Sequence, residues 1–203
     1  MTTHFPVYIG KDAVSQLLRF CRERSLDKFI LVADHNTYRV LGESLAHALR
    51  AQGYDVIPAV LNGEEVIADE RYLIQVLLRA DRQERTYLAV GSGTLTDITR
   101  LVCHRSRDSF ISVPTAHSVD GLTSPGAPLV IGGIKMTISC HPPIALFADL
   151  DVLSAAPPAL IAAGFGDMVG KLMSLADWQL GHVVWNEAYD EAIAHRSRKT
   201  ALE

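Results

Sequence analysis

The sequence has little of what would place a protein outside the cell or on nucleic acid. Its three cysteines, Cys21, Cys103 and Cys140, are odd in number and lack the close pairs of a metal site, so reduced thiols packed as small apolar groups are expected. The amino-terminal MTTHFP carries neither the basic nor the apolar region of a signal peptide, and no run of about 18 apolar residues is apparent that would span a bilayer. Nineteen Lys and Arg against 23 Asp and Glu leave a net charge of −4, with the cations scattered, which excludes an electrostatic footprint for nucleic acid. Internal repeats and low-complexity segments are absent too. These absences lead to the expectation of a cytoplasmic chain without membrane or nucleic-acid partners, and they leave a homo-oligomer open.

Apolar material is plentiful. With 203 residues, 48% hydrophobic and 21% charged, the chain can bury a sizeable core in one domain, or in one domain and part of another. Short apolar runs alternate with helical periodicity. Residues 28–33 (KFILVA), 54–61, 86–90, 109–114 and 144–148 read as strands, and 37–52, 69–81 and 93–104 as helices. This alternation predicts an α/β fold, a Rossmann-like and mainly parallel sheet with helices on both faces. Between 125 and 144 the pattern changes: apolar triplets at 129–131 and 136–138 flank Gly132 and Gly133, as in a hairpin or flap. Beyond 148 everything reads as helix. The expected organisation is an α/β nucleotide-binding domain over 1–150 and the start of an all-helical domain over 151–203.

Three stretches carry the chemistry. The first is GSGTLTD at 91–97, where a strand runs into a glycine turn that opens a helix. Amides at a helix start, with the positive end of its dipole, attract a phosphate, and Thr94 adds a hydroxyl. A plain strand-to-helix turn explains it equally well, because the third glycine of the usual dinucleotide fingerprint is missing. Asp34, directly after a strand, suits the hydroxyls of an adenosine ribose and would repel a 2′-phosphate. Asp34 precedes the glycine turn, unlike the usual order, and it can equally cap the following helix. The second stretch, TAHSVDGLTS at 115–124, gathers hydroxyls, an imidazole and a carboxylate after a strand. Loops at that end of an open α/β sheet form the ligand crevice. The third, AAGFGDMVGK at 162–171, sets Asp167 among Gly164, Gly166 and Gly170. Each helical glycine costs about 1 kcal/mol relative to alanine, so a ligand or a second backbone is expected close by. Tight helix packing with Asp167 at a solvated edge accounts for it as well.

Together, GSGTLTDITR at 91–100, TAHSVDG at 115–121, IALFADLD at 144–151, and AAGFGD at 162–167 continuing to SLADW at 174–178 resemble the sn-glycerol-1-phosphate dehydrogenase family. That family lies within the wider group of glycerol dehydrogenase, iron-type alcohol dehydrogenases and dehydroquinate synthase. The resemblance covers nearly the whole chain. It implies NAD- or NADP-dependent interconversion of dihydroxyacetone phosphate and sn-glycerol 1-phosphate, assisted by a divalent metal, Zn or Ni. By the same resemblance Gly93, Thr94, Leu95, Thr96 and Asp97 hold the cofactor's pyrophosphate region. Thr115, Ala116, His117, Ser118 and Ser124 also touch the cofactor, Asp120 contacts the polyol phosphate, and Asp167 binds both metal and substrate. In the family two further histidines complete the metal from positions beyond Glu203, and proline stands where this chain has His117. His182, about 22 Å along a helix from Asp167 at 1.5 Å per residue, is outside ligand reach. The expectation is a truncated, catalytically incomplete oxidoreductase. The alternatives are a non-catalytic nucleotide-binding or assembly module, or a dehydrogenase of glycerol or another polyol.

Overall fold

A computed structural model describes residues 5–203; the first four residues of the amino-terminal segment read above lie outside it. The chain forms two compact units, one running to His117 and resuming over Gly121–Ala156, the other made of Ser118–Asp120 and Pro157–Glu203.

The first unit is a parallel sheet of six strands in the order β1 (Val7–Gly10), β8 (Ala145–Asp149), β5 (Phe110–Val113), β4 (Thr86–Val90), β2 (Lys28–Asp34), β3 (Asp55–Leu61). β2 and β4 lie side by side, Phe29 opposite Thr86 and Val32 opposite Ala89. Their unbroken FILVA and YLAV runs follow from that position, since a central parallel strand is covered on both faces. Phe29, Leu31, Ala33, Leu88 and Val90 pack into one core with α1 (Ala13–Glu23) and α3 (Glu43–Ala51). Ile30, Val32, Tyr87 and Ala89 point into the other, against α4 (Glu70–Leu77) and α5 (Gly93–Ser106). A short α2 (His35–Thr37) and a π turn (Tyr38–Gly42) link β2 to α3. The expected hairpin is present as antiparallel β6 (Gly126–Ile131) and β7 (Ile134–Ser139), turning at Gly132 and Gly133 with φ of 58° and 80°. Cys21, Cys103 and Cys140 are free and buried, and burial pushes the Cys21 thiol up to about 12.

Two elements were not read from the sequence. β1 is four residues long with Val7 and Ile9 exposed, so it lacks a buried run. α1 buries Ala13, Leu17, Phe20 and Cys21 along one face. α4 stops at Leu77, short of the expected end at Asp81. The chain turns there because Asp81 is drawn to Arg85, whose buried guanidinium also binds Asp55, at 2.7 and 2.6 Å. The hydrogen bond from Arg85 holds the Asp81 carboxyl down at about 2. A depressed carboxyl stabilises the fold fully above the unfolded value near pH 4, and that contribution is lost as the pH falls toward 2. Asp81→Asn is therefore expected to flatten the loss of melting temperature between pH 4 and 2 relative to the parent. An acid limb of unchanged steepness would count against this clamp.

In the second unit, α7 (Pro158–Trp185) ends in left-handed Asn186, with φ of 55°, and α8 (Glu191–Leu202) folds back along it. Trp178 donates through Nε1 to the Ala188 carbonyl at 2.8 Å and packs on Tyr189, which also stacks on His182. His182 thus serves the α7–α8 turn. The glycine spacing at 164–170 predicted a close approach, but a Cβ on Gly166 or Gly170 would meet nothing within 4 Å. The close approach falls at Gly181, where the Glu187 carboxylate would contact an added Cβ. α7 also corrects the reading that no apolar run is long enough to span a bilayer. By length and composition its 28 residues meet that measure, because Asp167, Lys171 and Asp177 are spaced widely enough to leave a sparsely charged window. Phe165, Met173, Val183 and Trp185 lie exposed along it.

Candidate functional site

β2 leads outward to β3 at one edge of the sheet, and β4 leads the opposite way to β5. The connections leaving two adjacent strands therefore diverge, and in an open α/β sheet such a switch point leaves a crevice at the carboxyl ends. Asp34 stands at one lip and residues 91–93 at the other.

Gly91 follows β4 directly, and packing leaves no room for a side chain there. A Cβ would come to 2.2 Å from Leu95 Cδ1 and 3.0 Å from Leu95 Cβ, and Leu95 is buried. Ser92 takes extended backbone as the N-cap of α5. The first helical bond runs from the Thr96 N–H to the Ser92 carbonyl, so the amides of Gly93, Thr94 and Leu95 have no carbonyl behind them in the helix. Leu95 and Thr96 are buried, so their side chains serve the fold. The loop after β5 joins the same lip: the Gly91 N–H donates to the Val113 carbonyl at 3.1 Å and the Thr115 N–H to the Gly91 carbonyl at 3.3 Å. Thr115 and Ala116 are buried, whereas His117 is exposed.

Asp34 fulfils the capping alternative. Its Oδ1 accepts the Thr37 N–H at 2.8 Å while Thr37 Oγ1 accepts the Asp34 N–H at 3.0 Å, so the cap engages one carboxylate oxygen. Asp97, one turn into α5, is largely buried. Burial holds its carboxyl up at about 6, and the adjoining Arg100 guanidinium pulls it down. Arg100, which sequence reasoning passed over, is fully buried. It donates to Asp97, to the Gly126 carbonyl at 2.7 Å and to the Gly121 carbonyl at 2.8 Å. Ser124 Oγ lies 3.1 and 3.3 Å from the same two carbonyls.

In the second unit, Asp167 Oδ2 accepts the Asp120 N–H at 2.8 Å, and Lys171 Nζ pairs with Asp120 Oδ2 at 2.9 Å. Asp167 and Lys171 stand one turn apart on α7, so both reach residue 120. Its hydrogen bond to Asp120 raises the Lys171 ammonium above its ordinary value. The spacing of four residues was the available signal for Lys171. As a donor set this does not fit a divalent metal. Two carboxylates, one already paired with a lysine, lack the imidazole or thiolate that a transition-metal site uses. Among the described residues no three His, Cys, Asp or Glu come together as ligands. Elsewhere, a cavity of about 490 Å³ lies at the opposite edge of the sheet, beside Lys28, Arg85, Thr86 and Ser109.

Residues 8–157 match the family described as iron-containing alcohol dehydrogenase. A glycerol-1-phosphate dehydrogenase (NAD(P)+) of Geobacillus thermodenitrificans is 47% identical over 186 residues, 90% of this chain and 46% of that protein. One from Pyrococcus furiosus is 30% identical over 96% of this chain and 56% of its own length. The chain spans about half the length of the curated relatives it matches. Among solved structures, glycerol dehydrogenase from Schizosaccharomyces pombe superposes with a TM-score of 0.73 at 21% identity, over 83% of this chain and 43% of its own. A 2-deoxy-scyllo-inosose synthase complexed with carbaglucose-6-phosphate, NAD+ and Co2+ gives 0.70 at 19% identity, over 81% and 48%. At these identities the two structures share the fold.

Proposed function

This chain belongs to the iron-containing alcohol dehydrogenase family, and from that premise we propose that it binds NAD or NADP at the carboxyl edge of its sheet. The activity it serves is the interconversion of dihydroxyacetone phosphate and sn-glycerol 1-phosphate. The observation that carries the reading is the position of Asp34 and of the amides at 93–95 on the two lips of the switch point between β2 and β4. Relatives of 30 to 47% identity named as glycerol-1-phosphate dehydrogenases support the substrate.

In this reading the amides of Gly93, Thr94 and Leu95 donate to the pyrophosphate, assisted by the helix dipole. Asp34 accepts a ribose hydroxyl on Oδ2. Residues 115–118 and Ser124 border the path toward the nicotinamide, which when bound supplies or takes the hydride. Asp120 and Asp167, which meet in the second unit, are assigned by the family resemblance to the polyol, whose hydroxyls would donate hydrogen bonds to their carboxylates. Asp167 is also the residue that would be offered to a metal. By themselves the donors present among the described residues do not make a metal site.

That donor set favours one second reading, a nucleotide-binding module without turnover of its own. Calorimetric titration with NADH and NADPH tests the first claim, and saturable binding of neither sinks it. The oxidation of NADH by dihydroxyacetone phosphate, with Zn²⁺ or Ni²⁺ added, then separates the readings. Binding without turnover favours the module, and equal rates with unphosphorylated dihydroxyacetone favour a polyol dehydrogenase.

A further inference from the structure

We propose that Arg100 is the positioning residue of the dinucleotide edge: its guanidinium gathers the loop that returns from β5 and fixes it against the helix opened by the glycine turn. The inference rests on the nucleotide reading proposed above.

Arg100 lies two turns into α5 with no exposed surface. A charge so placed is tolerated only when its donors are met. Nη1 donates to Asp97 and to the Gly126 carbonyl at 2.7 Å, and Nη2 donates to the carbonyls of Gly121 and Leu122 at 2.8 and 3.3 Å. The guanidinium also lies 5.9 Å from the centre of the Phe110 ring. Nε has no partner, so the two terminal nitrogens make all of these bonds. Their acceptors come from both ends of the segment 121–126, which closes around the charge as a carbonyl cage, with Ser124 Oγ bridging the same two carbonyls.

The other stem of this loop is tied to the glycine turn itself, through the Thr115 N–H and the Gly91 carbonyl. Both stems are thus referred to one helix: the first to the turn that starts α5, the second to a side chain two turns along it. A loop so fixed does not have to be ordered when a ligand arrives, and pre-organisation of this kind is read as affinity. Lysine cannot replace the arrangement, because one ammonium nitrogen cannot span the two ends of the cage. Arg85 provides the matched control. It too is a buried arginine in an acid-lined clamp, but it lies at the opposite edge of the sheet with Asp55 and Asp81.

The test compares the parent, Arg100→Lys and Arg85→Lys by NADH calorimetry and by amide hydrogen exchange. Arg100→Lys is expected to raise the NADH Kd about tenfold and to speed exchange selectively in residues 115–126. Arg85→Lys is expected to lower the melting temperature with the Kd unchanged. An Arg100→Lys Kd equal to that of the parent, or equally raised in Arg85→Lys, overturns the proposal. Should Arg100→Lys fail to fold, the parent alone decides: without any ligand, residues 121–126 are expected to exchange as slowly as α5, and exchange there at the rate of an unstructured loop overturns the proposal. A parent that binds no NADH overturns the nucleotide reading, and the exchange of residues 115–126 in Arg100→Lys still judges the anchoring by itself.

Discussion

Gly91→Ala is expected to destabilise the first unit by about 2–3 kcal/mol, the cost of forcing a methyl group into a packed site, and to weaken NADH binding by about tenfold, as misplaced amides lose on the order of 1.4 kcal/mol of binding. The added Cβ meets Leu95 at three atoms, the nearest at 2.2 Å, and Leu95 has nowhere to go because it is itself part of the core between the sheet and α5. Relief has to come from moving the start of α5, and that displaces the three amides assigned to the pyrophosphate. The Gly91 carbonyl, which holds the Thr115 amide, moves with it. Gly53 is the contrast: it has a φ of 82° and no atom within 4 Å of an added Cβ, so Gly53→Ala carries backbone strain without reaching the nucleotide edge. Thermal melts and NADH titrations of both variants check the expectation. A Gly91→Ala chain that binds NADH as tightly as Gly53→Ala would remove the glycine turn from the site.

The sheet was legible in the sequence because β2 and β4 are buried on both faces and their apolar runs are unbroken. The glycine turn was legible for a related reason: it interrupts such a run, and a helical period resumes immediately after it. β1 was not legible. Four residues with two exposed apolar side chains carry no face, and the strand exists only because β8 offers it a partner, Val7 opposite Leu146 and Tyr8 opposite Phe147. Arg100 was missed for a complementary reason. An arginine in a helix reads as a solvated charge, and its burial is imposed by a segment 21 to 26 residues further on. Lys171 is intermediate, since the spacing from Asp167 shows that the two share a face while the partner they share, Asp120, comes from 47 residues away from Asp167. The glycines near Asp167 misled because composition reports that room exists, not that anything fills it.

Asp149 belongs to a motif that was visible without its purpose, and Asp149→Ala is expected to cost about 2–4 kcal/mol, as two amide donors lose their acceptor at once. Its Oδ2 accepts the Ala13 N–H at 3.0 Å across 136 residues of chain, and its Oδ1 accepts the Asp151 N–H at 3.0 Å as the cap of α6 (Leu150–Ser154). One carboxylate thereby starts two helices, and it fastens α1 to the end of β8, the strand on which the edge strand β1 depends. Asp149→Asn keeps one acceptor oxygen and is expected to recover part of the loss, whereas Asp151→Ala, which leaves the Asp149 carboxylate in place, is expected to cost much less. The effect should be local, with amide exchange rising in α1 and β1 before it rises in β2 and β4, because β8 is joined to the central strands through β5. Denaturant melts of the three variants with residue-resolved exchange check this. Uniform acceleration across the whole sheet, or a cost for Asp149→Ala no larger than for Asp151→Ala, would mean that the carboxylate is not the tie between the two ends of the first unit.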